Sequence, residues 1–192
     1  MAQSKSEWRR CLLAARSAIP ELARRQAADE IVVRVQTLRC WREARTILAY
    51  LAIGSEVRAD ALFTKRVRPG TPVLVPVGTT YGAGRIWARL AGGGAEVATL
   101  SPKELDRPVV ALVPGVGFDE RGMRLGRGAG FYDRALADLR KVGPVTVIGL
   151  GYEAQIVKEL PCDAWDQWVD IVVTEGRVLL ASAESGGARE AP

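Results

Sequence analysis

Residues 109–134 read VVALVPGVGFDERGMRLGRGAGFYDR, and this stretch decides the fold. Val109 to Val113 is a short, wholly apolar, β-branched run, the pattern of a strand buried on both faces of a parallel sheet. From Phe131 the apolar spacing becomes helical. Between them lie six glycines (Gly115, Gly117, Gly122, Gly126, Gly128, Gly130) and, with Arg134, four arginines. A strand, a glycine-rich crossing and a helix make one unit of an α/β sheet, in which ligands bind beyond the carboxyl ends of the strands.

Further runs of the same kind lie on either side. Ile47 to Leu51, Val73 to Val77, Val145 to Leu150 and Ile171 to Val173 are read as strands, with helices expected over Ala59 to Arg68 and Phe131 to Arg140. Ile86 to Leu90 is expected to add a strand, and the glycines at 92 to 94 a turn. At the N-terminal end, Ser4-x-x-Glu7 is a capping box opening a helix that ends near Ser17. Pro20 starts a second helix, whose Leu22, Ala27, Ile31, Val35 and Leu38 place its end near Arg39. The expectation is a single three-layer α/β domain over residues 1–180, its mainly parallel sheet flanked by helices and preceded by an N-terminal helical pair. Residues 181–192, small and polar, are expected to be a disordered tail.

Composition restricts the chemistry. The 192 residues include no histidine, which removes Ser/His/Asp and Cys/His catalysis and histidine-based zinc sites. Carboxylates, cations and backbone amides remain. Three cysteines, Cys11, Cys40 and Cys162, have neither disulfide-framework nor metal-site spacing, which points to a reducing cytoplasm. No apolar run reaches the roughly 18 residues of a membrane span, and no signal sequence is recognisable, so a soluble, unprocessed protein is expected. The net charge of +5 falls within residues 1–45, where ten Lys or Arg face five Asp or Glu. Such a segment attracts a polyphosphate, a nucleic acid or an acidic surface, or is a solvated helix face.

The glycine-rich crossing suits phosphate. Glycines let backbone amides approach a ligand, and the helix beginning after Gly130 offers unpaired N–H groups and a favourable dipole. Arg124 and Arg127 can fork to phosphate oxygens, and Asp133 can hold magnesium. Neither GxxxxGK[ST] nor GxGxxG is present.

The string Pro114-Gly115-x-x-Phe118-Asp119-x-x-Gly122-x-Arg124-Leu125-Gly126-Arg127-Gly128-x-Gly130-Phe131-Tyr132-Asp133 resembles the signature of the 5-formyltetrahydrofolate cyclo-ligase family. Lys5-x-x-x-Arg9 with Arg16, Tyr50 to Glu56 (YLAIGSE) and Gln155 to Glu175 agree in the same order. The resemblance implies ATP- and Mg2+-dependent cyclisation of 5-formyltetrahydrofolate to 5,10-methenyltetrahydrofolate, with release of ADP and phosphate. It implies ATP contacts from Lys5, Arg9 and the stretch Arg124, Leu125, Gly126, Arg127, Gly128, Ala129, Gly130, Phe131 and Tyr132, with Arg124 and Arg127 catalytic. Folate contacts are implied for Glu56, Tyr132 and Trp87, and magnesium ligands for Asp133 and Asp166. Tyr132 either stacks on a ring or packs beneath the loop.

Two departures fall on the folate side. A Gly-Ile-x-Glu-Pro element is not recognisable in residues 92–107, and the family's histidine before the second metal aspartate is replaced by Trp165. Partners are therefore expected to be ATP and a reduced folate, without nucleic acid or membrane, and a monomer is the default expectation. A paralogue acting on another small molecule and a basic nucleic-acid-binding module are the alternatives.

Overall fold

The computed structural model describes residues 3–64, 70–76, 87–89 and 99–181, without the side chains of 63, 64, 87–89 and 99. In chain order the elements begin with α1 (Lys5–Ala18), α2 (Glu21–Thr37), α3 (Arg39–Glu43), β1 (Thr46–Leu48), α4 (Asp60–Thr64), β2 (Val73–Pro76), β3 (Trp87–Arg89) and β4 (Thr99–Leu100). There follow β5 (Val109–Pro114), β6 (Gly117–Asp119), β7 (Arg124–Leu125), α5 (Phe131–Val142), β8 (Val145–Leu150), β9 (Ile156–Val157), β10 (Ile171–Val173) and β11 (Val178–Leu180).

The main sheet runs β11-β10-β8-β5-β1-β2-β3-β4. Its five central strands are parallel, and β11, β3 and β4 add antiparallel margins. Alternation along the apolar runs divides the core. Ile47, Val110, Leu112 and Ile148 face the layer containing α2, while Leu48, Val109, Ala111 and Val147 face α5. Both faces of each central strand are therefore covered by apolar groups, as the unbroken hydrophobic runs require. The single α/β domain with helices on both faces is the expected architecture.

The N-terminal helices have different tasks. Ser4 caps α1 through the capping box, and Leu12 packs with Val116, Met123, Leu125 and Leu160. This helix covers the glycine-rich segment, whereas α2 buries Ala28, Ile31, Val32 and Val35 against the main sheet. Leu38 turns extended and ends α2, after which the buried Trp41 anchors the short α3. Trp8 and Trp168 pack half-buried at the edge of the cluster beneath α1.

Two short strands inside residues 114–134, β6 and β7, join β9 in a second sheet of order β7-β6-β9, a feature absent from the sequence reading. Asp119 ties it together. Its buried carboxylate accepts from the backbone N–H groups of Arg121, Met123 and Leu160 and from Nε and Nη2 of Arg121. The run expected over Ile47 to Leu51 leaves the sheet after Ala49, whose N–H still bonds to the Leu74 carbonyl. Tyr50 then donates from its hydroxyl to the Val57 carbonyl at 2.8 Å, which folds residues 50–57 into a strand-end loop. Part of the Ala59 to Arg68 helix, the turn at 92 to 94 and the tail after 181 lie outside the described residues.

Candidate active site

The parallel strands stand in the spatial order β2-β1-β5-β8-β10, so the chain's winding reverses between β1 and β5. The crevice beyond the carboxyl ends of such a strand pair is where a doubly wound sheet receives ligands. A pocket of about 510 Å³ lies there. Tyr50, Leu51, Ile53 and Glu56 come from the segment after β1, Pro114 and Gly115 from the end of β5, and Arg124, Gly126, Arg127 and Ala129 to Asp133 from the glycine-rich crossing. The volume is ordinary for a cofactor or metabolite site.

Two arginine–carboxylate pairs dominate its polar surface. Arg124, 3% exposed, donates from Nη2 to Asp133 Oδ1 at 2.9 Å and from Nη1 to the Pro114 carbonyl at 3.4 Å. Its Nε is buried with no hydrogen-bond partner among the described residues. Arg127 meets Glu56 Oε1 through Nε at 3.1 Å and Nη2 at 2.9 Å, and Glu56 Oε2 accepts from the Ile53 N–H at 3.0 Å. Residues expected to serve phosphate and folate thus hold one another at the pocket surface. An incoming anion competes with carboxylates for the same guanidinium forks, which the pairing holds oriented beforehand.

Tyr132 resolves an open alternative. It packs against both halves of the core, with the Arg124 guanidinium 5.4 Å from its ring centroid and Phe131 edge-on at 5.1 Å. Burial pushes its hydroxyl pKa well up, so it stays protonated at neutral pH. It lies beneath the loop while still lining the pocket. Phe131 is half-buried beside it. Leu125 points elsewhere, into the apolar cluster under α1, and its carbonyl accepts from the Val116 N–H. It therefore supports the loop from below.

Glycine is required where the crossing enters α5. Gly130 is the N-cap with φ +64, and Gly128 has φ +108. Both conformations disfavour a side chain, and a Cβ at 128 would sit 3.7 Å from Arg9 Cζ.

α1 reaches this loop from outside the pocket lining. Arg9 Nε donates to the Gly126 carbonyl at 2.8 Å. Lys5, one helical turn earlier on the same face, bridges Asp163 at 2.7 Å and Asp166. Burial lowers the Lys5 pKa, but its bonds to Asp163 and Asp166 outweigh this and hold it above the ordinary lysine value. The ammonium stays charged at neutral pH, and its contribution is lost as pH rises through this raised value. Asp166 Oδ2 also accepts from the Asp163 N–H at 2.6 Å, and Asp133 Oδ1 accepts from the Gln167 N–H at 3.2 Å. The two aspartates expected to bind metal are thereby linked through consecutive residues. Among the described residues no cluster of three or more carboxylates or thiols is arranged as a metal cage.

Trp87 lies in β3 by its backbone, and its side chain is outside the described residues. Sequence reasoning missed Asp163, Gln167 and the pocket walls at Tyr50, Leu51, Ile53 and Pro114. The signal for the walls was positional, since each follows or ends a strand at the reversal point.

Fold and site define a doubly wound α/β protein with a glycine-lined pocket, carrying two arginine–carboxylate pairs, at its topological reversal. A sequence model of the 5-formyltetrahydrofolate cyclo-ligase family matches residues 1–175. The 5-formyltetrahydrofolate cyclo-ligase of Mycolicibacterium smegmatis is 31% identical over 93% of this chain and 97% of its own length. That of Escherichia coli K12 is 29% identical over 85% and 96%. The NMR structure of Aquifex aeolicus 5,10-methenyltetrahydrofolate synthetase superposes with a TM-score of 0.74 at 28% identity, covering 97% of each chain. The chain belongs to the 5-formyltetrahydrofolate cyclo-ligase family.

Proposed function

We propose that this protein cyclises 5-formyltetrahydrofolate to 5,10-methenyltetrahydrofolate at the expense of ATP, with ADP and phosphate as the other products. The observation that carries this reading is the pairing of Arg127 with Glu56 at the pocket surface, which puts a phosphate-type and a pterin-type group on one wall. The formyl oxygen attacks the terminal phosphorus and displaces ADP. The resulting imidate phosphate is closed upon by nitrogen 10, and phosphate leaves. Such a sequence needs alignment and charge neutralisation more than a strong base, so the lack of histidine is no obstacle.

Each residue then has a task. Arg124 and Arg127 neutralise the transferring group, and the backbone of Gly126, Gly128, Ala129 and Gly130 lies against the phosphates. Lys5 and Arg9 close over the nucleotide from α1. Glu56 receives the donor edge of the pterin, Tyr132 and Trp87 contribute ring surface, and the protonated Tyr132 hydroxyl takes no part in proton abstraction.

Asp133 and Asp166 fit magnesium, because each commits one oxygen to the bonds described above and because Mg2+ is usually held by one or two carboxylates with substrate oxygens and water. When bound, the ion neutralises phosphate charge. The three cysteines are free, and among the described residues no helix is long and apolar enough to cross a membrane. The same reading has the protein act in the cytoplasm on small molecules, ATP and a reduced folate, with a monomer as the simplest assembly.

Calorimetric titration of Mg-ATP and of 5-formyltetrahydrofolate into the same preparation tests the reading. Binding of both supports it, whereas binding of ATP alone favours a paralogue with a different acceptor, the reading that Trp165 and the divergent 92–107 tract leave open. Lys5→Ala is expected to weaken Mg-ATP binding about tenfold, the loss of one charge-assisted bond of roughly 1.5 kcal/mol. Unchanged nucleotide affinity would remove α1 from the site.

A further inference from the structure

Arg16 stands in the last turn of α1 and is 2% exposed. A buried charge is ordinarily paired, yet Arg16 forms no ion pair among the described residues. Its guanidinium instead bridges two segments far apart in sequence. Nε donates to Ser55 Oγ at 3.0 Å and Nη1 to the Gly115 carbonyl at 3.1 Å. Ser55 directly precedes Glu56 in the loop after β1, and Gly115 directly follows β5. These are the two strand ends between which the winding reverses, and Glu56 and Gly115 both line the pocket.

The surroundings suit a rigid tie rather than a general packing role. Gln155 Nε2 donates to the same Gly115 carbonyl at 2.9 Å, and the Tyr50 hydroxyl holds the far end of the 50–57 loop at Val57. Burial lowers the Arg16 pKa, the charge of Glu56 raises it, and that of Arg127 lowers it again. The guanidinium therefore lies within the field of the pocket's own charges although it is not part of the lining. A planar fork can serve two acceptors in different directions, which an ammonium group in the same place does not reproduce.

We infer that Arg16 is a positioning residue, a buried fork that fixes the separation of the strand ends carrying Glu56 and Gly115 and so the alignment of the two substrates. The inference rests on the function proposed above. Misplacement of a reacting group by about 1 Å costs on the order of 100-fold in rate, which sets the scale of the effect.

Arg16→Lys keeps the charge and loses the fork, and Ser55→Ala removes one limb alone. Steady-state kinetics with each substrate varied, nucleotide binding and thermal unfolding are to be measured on both variants and on the double variant. Arg16→Lys is expected to lower kcat about 30- to 100-fold with nucleotide affinity unchanged. Ser55→Ala is expected to move kcat in the same direction, and adding it to Arg16→Lys to cost little more, because both act on one bond. A uniform rise in KM for both substrates with kcat intact, or full additivity, would overturn the inference.

Amide hydrogen exchange on the same proteins gives a readout independent of turnover. Faster exchange confined to residues 51–57 in Arg16→Lys, with α1 and β5 still protected, is the expected result, and an unchanged pattern would overturn the inference. Absence of methenyl product from the unaltered protein would instead count against the proposed reaction, leaving the exchange result to decide the role of Arg16.

Discussion

Arg127→Gln is expected to lower kcat/KM by about 100- to 1000-fold, the loss seen when a preorganised donor to a developing charge is removed. Arg127 offers a favourable test because its structural and chemical contributions separate. Its side chain is half exposed, and the buried Glu56 keeps the Ile53 N–H as a donor when the bridge is lost, so the loss costs about 1 kcal/mol. The melting temperature should therefore fall by less than about 4 °C for a chain of this size. Glutamine still donates one hydrogen bond to Glu56, so the loop after β1 keeps a partner. Steady-state kinetics and thermal unfolding on one preparation check both halves. A variant that unfolds early and turns over normally when folded would show that the pair is a structural clasp.

Asp119→Ala is expected to have the largest effect on stability. A buried carboxylate with five donors converging on it holds β6, the turn at 120–123 and the segment at Leu160 in one arrangement. Removing it leaves the three backbone N–H groups without their acceptor and takes from Arg121 its buried partner, although the guanidinium keeps Glu159 and the Leu160 carbonyl, and the loss of such a buried hydrogen-bonded carboxylate costs about 3–5 kcal/mol. The melting temperature should drop by roughly 10 °C. Activity should fall as well, since β7 and Arg124 follow immediately. Denaturant unfolding checks the first effect, and a loss below about 1 kcal/mol would mean that the hairpin is held by the apolar cluster under α1 alone.

The main sheet was legible because its central strands are buried on both faces. A run such as VVALV has no polar partner face, so its apolar continuity survives as a pattern, and Val109–Pro114, Val145–Leu150 and Ile171–Val173 appear at or within a residue of their expected limits. The second sheet was not legible. Its strands are two or three residues long, too short for any period, two of them drawn from the glycine-rich segment and the third from residues 156–157, and Phe118 is positioned by packing against Gly115, Gly149 and Gly151. The truncation of β1 is likewise a tertiary effect, set by the hydroxyl of Tyr50.

The site divides along the same line. Arg124, Arg127 and the glycines before α5 announce phosphate chemistry within one continuous string, and the structure gathers them on one wall of the pocket. Residue types alone did not show that Arg127 meets Glu56, 71 positions earlier, or that Lys5 meets Asp163 and Asp166. These pairings depend on the strand order and on where α1 lies. The basic N-terminal segment also divides, since Lys5 pairs with Asp163 and Asp166, Arg9 bonds to the loop at Gly126, Arg16 is buried, and Arg25 and Arg39 make exposed pairs along their own helices. Only part of the charge excess serves the site.

The most direct measurement of the central claim is the absorbance of 5,10-methenyltetrahydrofolate formed when the purified protein is given 5-formyltetrahydrofolate, ATP and Mg2+. The account predicts product formation that requires all three, stops when the metal is chelated, and releases one ADP for each folate cyclised. Folded protein that binds ATP yet forms no methenyl product, or that releases ADP at a rate independent of the folate, would contradict it.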